Sequence, residues 1–215
     1  MKRSDYIQKL EGMRRFYSNP GKARREAWVL ESFLELLGIP FKTGDFKTDI
    51  GEPADLGFDE GNFQIKELLD EGRKRTDEVK EALEKARQIE DAEIVTVSCF
   101  EPEFLTMPQL VKRLVPKMLE NIQDYYGCNA DTTDLLFYAN LRRVFIEETA
   151  CKCVDIELPP ALRAWRSVSI TSGETAAVLF ASAGAPAFVK NAKGKVHRAG
   201  SACLSGVVLG YGEEA

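Results

Sequence analysis

The sequence predicts a mixed α/β fold, and three observations lead to this class. A helix pattern covers residues 23–38, and three short strand patterns follow it between residues 41 and 67. A second helix pattern, over residues 76–92, is followed by a β-branched, apolar strand pattern over residues 93–100. The predicted order of elements is therefore α-β-β-β-α-β. With 215 residues, the chain is long enough to bury a substantial core.

The first helix is predicted by its hydrophobic spacing and by its stop signals. Gly38 and Pro40 end the pattern, because glycine favours a helix C-terminus and proline cannot continue a helix. The apolar residues with helical spacing are Trp28, Val29, Leu30, Phe33, Leu34, Leu36 and Leu37.

The three short strands are predicted at residues 41–47, 54–58 and 63–67, where Gly, Asp and Asn turns separate them. The second helix begins with a Thr-Asp pair and is rich in Ala, Leu, Glu and Lys. We expect the strand over residues 93–100 to be buried.

The sequence of residues 101–215 predicts a mixed α+β extension packed on this core. A helix pattern covers residues 107–127, and Pro116 is expected to break or kink it. Residues 134–148 fit either a strand or a helix followed by a strand. Glycine-rich segments at 167–173, 176–184 and 204–212 predict short strands. The predicted division is a basic helix or arm over residues 1–20, a core over 21–100 and the extension over 101–215.

The charge is unevenly distributed along the chain. The net charge is −5, but residues 1–25 hold eight basic and two acidic side chains, a charge of +6 that leaves −11 on the remainder. Two interpretations stand: the basic segment is a solvated amphipathic helix, or it contacts the phosphates of a nucleic acid.

Several classes of protein are disfavoured by the sequence. We find no signal peptide, no apolar run of membrane-spanning length and no phosphate-binding glycine loop, and the single histidine does not accompany a nucleophile motif. We therefore expect a cytosolic chain with reduced thiols and no membrane partner. The five irregularly spaced cysteines are Cys99, Cys128, Cys151, Cys153 and Cys203.

The segment from residue 52 to residue 67 predicts a hairpin with two different faces. With a turn at residues 59–62, Phe58 pairs with Phe63, and Asp55 pairs with Lys66. Because side chains alternate along a strand, one face is apolar and the other is polar. Gly57 would lie opposite Gln64 and leave space for a cation on the polar face. The apolar face is predicted to hold Leu56, Phe58, Phe63 and Ile65, and the polar face Asp55, Gln64 and Lys66.

The polar face has the groups that phosphodiester hydrolysis needs. A hard cation such as Mg²⁺ or Mn²⁺ takes oxygen ligands, which the Asp55 carboxylate, the Gln64 amide and the Ile65 backbone carbonyl can supply. Lys66 is expected to orient the attacking water and to stabilise charge on the phosphate. This pattern predicts a metal-dependent nuclease.

The segment "PAD", which ends at Asp55, and the segment "QIK" at 64–66 resemble the motif of the PD-(D/E)XK nuclease-like superfamily in its Gln variant. The resemblance covers roughly the first hundred residues and implies an α-β-β-β-α-β core. It also implies a glutamate on the first helix near the metal, which is either Glu26 or Glu31. We favour Glu26 because it shares the inward helix face with Leu30 and Phe33.

As a whole, the chain is similar to an uncharacterised bacterial family of endonuclease-like proteins. The resemblance implies Mg²⁺-dependent or Mn²⁺-dependent cleavage of DNA, with nucleic acid as the partner, and it allows a homodimer. The alternative is a catalytically inactive nuclease-like fold that acts as a nucleic-acid-binding or protein-interaction module. The basic residues expected to contact phosphates are Arg24, Arg25, Arg73, Lys74 and Arg75.

Overall fold

The structure is a computed structural model that describes residues 2–42, 44–48, 50–88, 101–123, 129–147 and 154–199. It confirms the mixed α/β class. The described α-helices are α1 (Arg3–Phe16), α2 (Lys22–Leu37), α3 (Arg75–Gln88), α4 (Met107–Ile122), α5 (Pro160–Arg163) and α6 (Ala187–Ala192). The described strands are β1 (Phe46–Lys47), β2 (Leu56–Phe58), β3 (Gly61–Leu69), β4 (Glu103–Leu105), β5 (Asp134–Asn140), β6 (Val144–Ile146), β7 (Ser167–Thr171), β8 (Thr175–Ala181) and β9 (Val196–Arg198).

A mixed sheet forms the centre of the described fold. Its strand order is β1-β2-β3-β5-β7-β8-β9, with β3, β5 and β7 parallel and the remaining pairs antiparallel. A separate parallel pair is formed by β4 and β6. The main sheet takes strands from both sides of the predicted boundary at residue 100, and the division into domains stays a prediction.

Helices cover both faces of the sheet. Leu136 packs on the face that α2 and α6 cover, whereas its neighbours Leu135 and Phe137 pack on the face that α4 and α5 cover. This alternation follows from the two-residue period of a strand. The central parallel strands are therefore buried on both sides, as parallel sheets usually are.

The first predicted helix is confirmed as α2. It buries Val29, Leu30, Phe33 and Leu34, which recur at helical spacing. The helix ends at Gly38, whose φ of 70° lies in the left-handed region that glycine adopts without strain. The burial of this face fixes α2 against the sheet and so places the residues of its first turn.

The hairpin exists, but its predicted register is wrong by two residues. Phe58 pairs with Gly61 and Leu56 pairs with Phe63. The turn is shorter than predicted because Asp59 adopts a φ of 52°, a conformation that aspartate tolerates better than most residues. A shift of two residues leaves every side chain on its predicted face. The predicted apolar face is confirmed, since all four of its residues lie in one core cluster.

The prediction of open space beside Gly57 is also wrong. Gly57 pairs with Asn62 on one side and with Lys47 of β1 on the other. A Cβ atom at Gly57 would lie 3.1 Å from Ile50 Cγ2 and 3.3 Å from Lys47 Cβ. Lys47 of β1 and Ile50 beyond it therefore fill the place where the sequence suggested room for a cation.

The basic N-terminal segment forms α1, which packs against α3. Leu10 joins Leu83 and Ala86 in a small apolar cluster. Arg3 Nε donates a 3.0 Å hydrogen bond to the Ala86 carbonyl. These contacts make α1 part of the folded structure, and contact of its exposed cations with phosphates stays a prediction.

The second half of the chain differs from the prediction at one proline. The predicted break at Pro116 is absent, while a kink there stays a prediction; helix α4 continues through the proline. Its buried face outweighs the missing backbone donor, and a capping box between Thr106 and Gln109 secures its start. The ambiguous segment at 134–148 begins with a strand, β5. Two of the predicted glycine-rich strands are confirmed as β7 and β8.

The strands predicted at 93–100 and 204–212, like all five cysteines, lie outside the described residues. Among the described helices, none combines the length and the apolar character needed to cross a membrane.

Candidate active site

Asp55 lies immediately before β2 and is held against β3 by its backbone and its side chain. Its N–H donates a 2.8 Å hydrogen bond to the Phe63 carbonyl. Its Oδ2 atom accepts hydrogen bonds from Gln64 Nε2 at 2.5 Å and from the Ile65 N–H at 2.9 Å. Asp55 therefore lies beside Gln64, and the predicted pairing of Asp55 with Lys66 is wrong because of the register.

Glu26 reaches the same place from α2. The Lys22 ammonium lies 3.2 Å from Glu26 Oε1 and 3.0 Å from Asp55 Oδ1. The two carboxylate side chains are only 12% and 10% exposed, whereas Lys22 is 61% exposed. The structure thus brings two carboxylates around one positive charge. By contrast, the alternative Glu31 lies farther along α2 and does not line the cavity described below.

The pKa values of Glu26 and Lys22 depend on the charged groups around them. Burial raises the pKa of Glu26, and the negative charge of Asp55 raises it further, while Lys22 acts in the opposite direction. A hydrogen bond to Asp55 raises the pKa of Lys22. The pair of carboxylates therefore favours an added positive charge, which lowers the cost of keeping Glu26 ionised.

Gln64 presents a buried polar atom beside these carboxylates. The residue is 3% exposed and donates through Nε2 to Asp55. Its Oε1 atom is buried and has no hydrogen-bond partner among the described residues. A buried carbonyl oxygen of this kind is costly unless a donor or a cation satisfies it.

The edge of β3 is open just beyond this point. The pairing of β2 with β3 reaches only to Phe63. The Ile65 N–H faces Asp55, and the N–H and C=O of one strand residue point to the same side of the strand. The Ile65 carbonyl therefore faces the same open edge as Asp55.

A cavity of about 440 Å³ lies at this edge. Four of the predicted site residues line it together, and the fifth, Asp55, is hydrogen-bonded to its wall. The lining residues are Phe16, Tyr17, Lys22, Arg25, Glu26, Trp28, Val29, Gln64, Ile65, Lys66, Glu67, Arg75 and Tyr138.

The five basic residues predicted to contact phosphates do not all lie at the cavity. Arg25 and Arg75 line the cavity, whereas Arg24 and Lys74 are exposed outside its wall. Arg73 is engaged elsewhere, since it donates to the Asn140 carbonyl at 2.7 Å and pairs with Glu78 at 3.1 Å.

The two arginines of the cavity are fixed by several contacts. The Arg75 guanidinium lies 4.1 Å from the centre of the Tyr17 ring and forms an ion pair with Glu67. Arg25 donates a 2.6 Å hydrogen bond to the Phe16 carbonyl. Burial lowers the pKa of Arg25, and the positive charge of Arg75 lowers it further. Four cationic side chains and two carboxylates line the cavity, an excess of positive charge that favours an anionic ligand.

Sequence reasoning missed the aromatic wall and Lys22. Tyr17, Trp28 and Tyr138 come from three distant segments, and no local pattern connects them; the Trp28 and Tyr138 ring centres are 5.4 Å apart. Burial raises the pKa of Tyr138, so its hydroxyl stays protonated at neutral pH. A signal for Lys22 was available, because it lies four residues before Glu26 on the same helix face.

The donor set suits a hard divalent cation. Among the described residues, no group of three or more His, Cys, Asp or Glu side chains gathers as a metal site. The set at the β3 edge instead combines two carboxylates, the buried Gln64 amide oxygen and a backbone carbonyl. These oxygen donors fit Mg²⁺ or Mn²⁺ better than a soft metal.

Comparison with known proteins gives a family. Residues 3–202 match the sequence model of a family described as "Putative endonuclease, protein of unknown function (DUF1780)". The chain belongs to the DUF1780 family. This membership agrees with the resemblance to an uncharacterised endonuclease-like family. The family description suggests nucleic acid as the substrate.

Curated proteins give no match to this DUF1780 chain. A solved structure from Pseudomonas aeruginosa strain PAO1, of a protein of unknown function placed in a monooxygenase superfamily, is similar to it. The two chains are 28% identical with a TM-score of 0.58, and the similarity covers 90% of this chain and 94% of the other. The family description names an endonuclease, whereas the description of the solved structure names a monooxygenase superfamily.

Proposed function

We propose that this protein is a metal-dependent endonuclease that hydrolyses phosphodiester bonds in DNA. The observation that carries the proposal is the convergence of Glu26, Asp55 and Gln64 on one point at the open edge of β3. Two carboxylates from different elements meet there around a positive charge, beside a buried oxygen that has no partner within the described part of the chain. A cation site is a sufficient reason for such an arrangement, whereas packing alone would disfavour it.

Four groups of this chain would hold the cation: the carboxylates of Glu26 and Asp55, the amide oxygen of Gln64 and the backbone carbonyl of Ile65. When bound, Mg²⁺ or Mn²⁺ supplies Lewis-acid stabilisation of the charge that develops on the phosphate. Because Gln64 is neutral, the carboxylates contribute two negative charges, and we expect weaker metal affinity than in a site with three acidic residues.

Lys66 would act directly on the substrate. It lines the cavity two residues after Gln64, and its ammonium can hold the attacking water or stabilise negative charge on the phosphate. Arg75 lines the same cavity and offers a guanidinium suited to phosphate oxygens. The 61% exposed Lys22 can leave the carboxylates when a cation binds, because its long side chain reaches solvent.

We also propose that the core is of the PD-(D/E)XK type. In support, α2, β1, β2, β3 and α3 follow one another in the order that this superfamily implies, and Asp55 and residues 64–66 occupy adjacent strand positions. The strand parallel to β3 is β5, which comes after α3 and α4 in the chain.

A second candidate is a nucleic-acid-binding module without catalysis. One observation favours it: Lys22 forms ion pairs with both Glu26 and Asp55, so the two carboxylates have a positive partner within the protein itself. In this case the site would bind no divalent cation, and the cavity would serve recognition alone.

A plasmid-nicking assay separates the two candidates. We expect the purified protein to nick supercoiled DNA with Mg²⁺ or Mn²⁺ and to be inactive in EDTA. Asp55→Asn and Lys66→Met should each lower the rate by about 100-fold or more. Asp77→Asn and Lys80→Met are matched controls on the exposed face of α3 and should be neutral. Activity retained in both site variants would contradict the proposal. A protein that binds DNA but neither nicks it nor binds a metal would favour the binding module.

A further inference from the structure

We infer that the cavity beside the catalytic residues receives one unpaired nucleotide of the substrate strand, with its base against the aromatic wall. The inference rests on the proposed function, since it names the form of DNA that the same site takes. It follows from the size of the cavity and from the kinds of side chain that line it.

The size of the cavity fits a single nucleotide. Its volume of about 440 Å³ lies in the range of small-molecule sites. A base pair within a duplex cannot enter such a cavity, so a strand must be single or must extrude a nucleotide to reach it. Because Gln64 and Lys66 line the same cavity, the nucleotide inside it would adjoin the phosphate under attack.

The aromatic side chains supply a stacking surface. Tyr17, Trp28 and Tyr138 all line the cavity, and each is only half-buried. Unpaired bases stack on such side chains without strong sequence preference, because every base has a flat π face.

Arg75 extends the stacking surface, and Tyr138 offers a hydrogen bond to the base. Arg75 lies over the Tyr17 ring, and guanidinium planes and aromatic rings are the two surfaces on which proteins stack unpaired bases. Glu67 accepts a 2.9 Å hydrogen bond from Asn140 Nδ2 and also pairs with Arg75, which fixes the guanidinium in the wall. The Tyr138 hydroxyl, protonated at neutral pH, is a donor for a base edge.

Binding measured in EDTA tests the cavity without any metal. The probes are a deoxynucleoside 5′-monophosphate, the matching deoxynucleoside and inorganic phosphate, titrated by calorimetry against the full chain. We expect the nucleotide to bind at least 10-fold more tightly than phosphate, because the base adds stacking. Tyr17→Leu keeps an apolar side chain but removes the π face, so it should weaken nucleotide binding about 10-fold more than it weakens phosphate binding. Tyr17→Phe should retain the affinity.

Tyr6→Leu is the matched control. Tyr6 lies on α1, which ends immediately before Tyr17, but it packs in the cluster between α1 and α3 and does not line the cavity. If the nucleotide binds no tighter than phosphate, or if Tyr17→Leu and Tyr6→Leu behave alike, the inference is overturned.

Cleavage assays complete the test and separate it from the proposed function. A single-stranded oligonucleotide or a duplex with an overhang should be cut at least 10-fold faster than a closed, fully paired duplex, and Tyr17→Leu should remove this preference. Equal rates on paired and unpaired DNA would overturn the inference while the proposed nuclease function stands. Asp55→Asn should abolish cleavage and leave nucleotide binding in EDTA intact. A parent protein that binds the nucleotide but cuts no DNA would contradict the proposed function and leave the cavity assignment supported.

Discussion

Gln64 Nε2 donates a 2.5 Å hydrogen bond to Asp55 Oδ2, and this contact joins the two strands of the hairpin at the open edge of β3. The neutral amide approaches the carboxylate without adding a negative charge. With Lys22 on the other carboxylate oxygen, Asp55 is satisfied in the folded protein before any cation binds. Contacts within the protein therefore hold Asp55 in place, and the behaviour of the site on substitution follows from its charge balance.

Gln64→Glu adds a third carboxylate to the site. Without metal, repulsion from Asp55 raises the pKa of the new carboxyl in the folded state, so the variant should lose stability as pH rises above the ordinary Glu range. With Mn²⁺ the extra charge should tighten binding. Thermal unfolding from pH 4 to 8 in EDTA, and a Mn²⁺ titration, measure the two effects. An unchanged Mn²⁺ affinity would contradict the convergence of Asp55 and Gln64 on a cation.

Lys22→Met removes the ammonium that competes with a cation for Glu26 and Asp55. We expect Mn²⁺ affinity to increase by about 10-fold, because binding no longer displaces a positive charge. The apo protein should unfold at a lower temperature at neutral pH, since two carboxylates lose their partner. Lys80→Met on α3 is the control, and it should alter neither quantity. A lower Mn²⁺ affinity in Lys22→Met would show that Lys22 supports the site instead of competing for it.

Glu26 makes metal-free stability depend on pH. Its folded-state pKa is raised above its ordinary value of 4.5, first by burial and then by Asp55. Its contribution to stability is therefore fully present below the unfolded-state pKa and is lost as pH rises through the folded-state pKa. Glu26→Gln removes this loss. The free energy of unfolding of the variant should therefore increase relative to that of the parent as pH rises from about 4 to 7. Urea unfolding at several pH values measures this difference.

Glu84→Gln is the control for this measurement, because Glu84 is exposed on α3. Parallel pH curves for Glu26→Gln and the parent would contradict the account of Glu26.

Asp134 anchors the hairpin to the central strands. It is fully buried, forms an ion pair with Arg166 and accepts hydrogen bonds from Ser167 Oγ at 2.6 Å and from the Asn62 N–H at 3.2 Å. Asp134→Asn should cost about 3 kcal/mol, because it leaves a mostly buried guanidinium without its counter-charge. Urea unfolding measures the loss, and exposed Asp131→Asn is the control. A loss below about 1 kcal/mol would contradict this role.

The sequence was enough to predict most of the local structure around the site. The spacing of Val29, Leu30 and Phe33 predicts both the helix and its buried face, so Glu26 could be placed on the inward side. The alternation in the hairpin predicts which residues share a face, and an error of two residues in register does not change that result.

The remaining features depend on contacts between distant segments. The register followed from the conformation of Asp59, which the residue type permits but does not dictate. The aromatic wall combines the end of α1 with α2 and β5, and only the packed sheet brings Tyr17 and Tyr138 to one cavity. The docking of α1 on α3 likewise depends on Leu10 meeting Leu83, a contact that charge counting over residues 1–25 could not reveal.

A crystal structure of the protein soaked in Mn²⁺, with the metal located by its anomalous scattering, decides whether the edge of β3 binds a divalent cation. We expect an anomalous peak within about 2.5 Å of oxygens from Glu26, Asp55 and Gln64, with the Lys22 ammonium moved away from both carboxylates. The same soak of Asp55→Asn should show no peak there. A fully soaked crystal in which Lys22 still bridges Glu26 and Asp55, with no Mn²⁺ between them, would contradict the metal-dependent nuclease account.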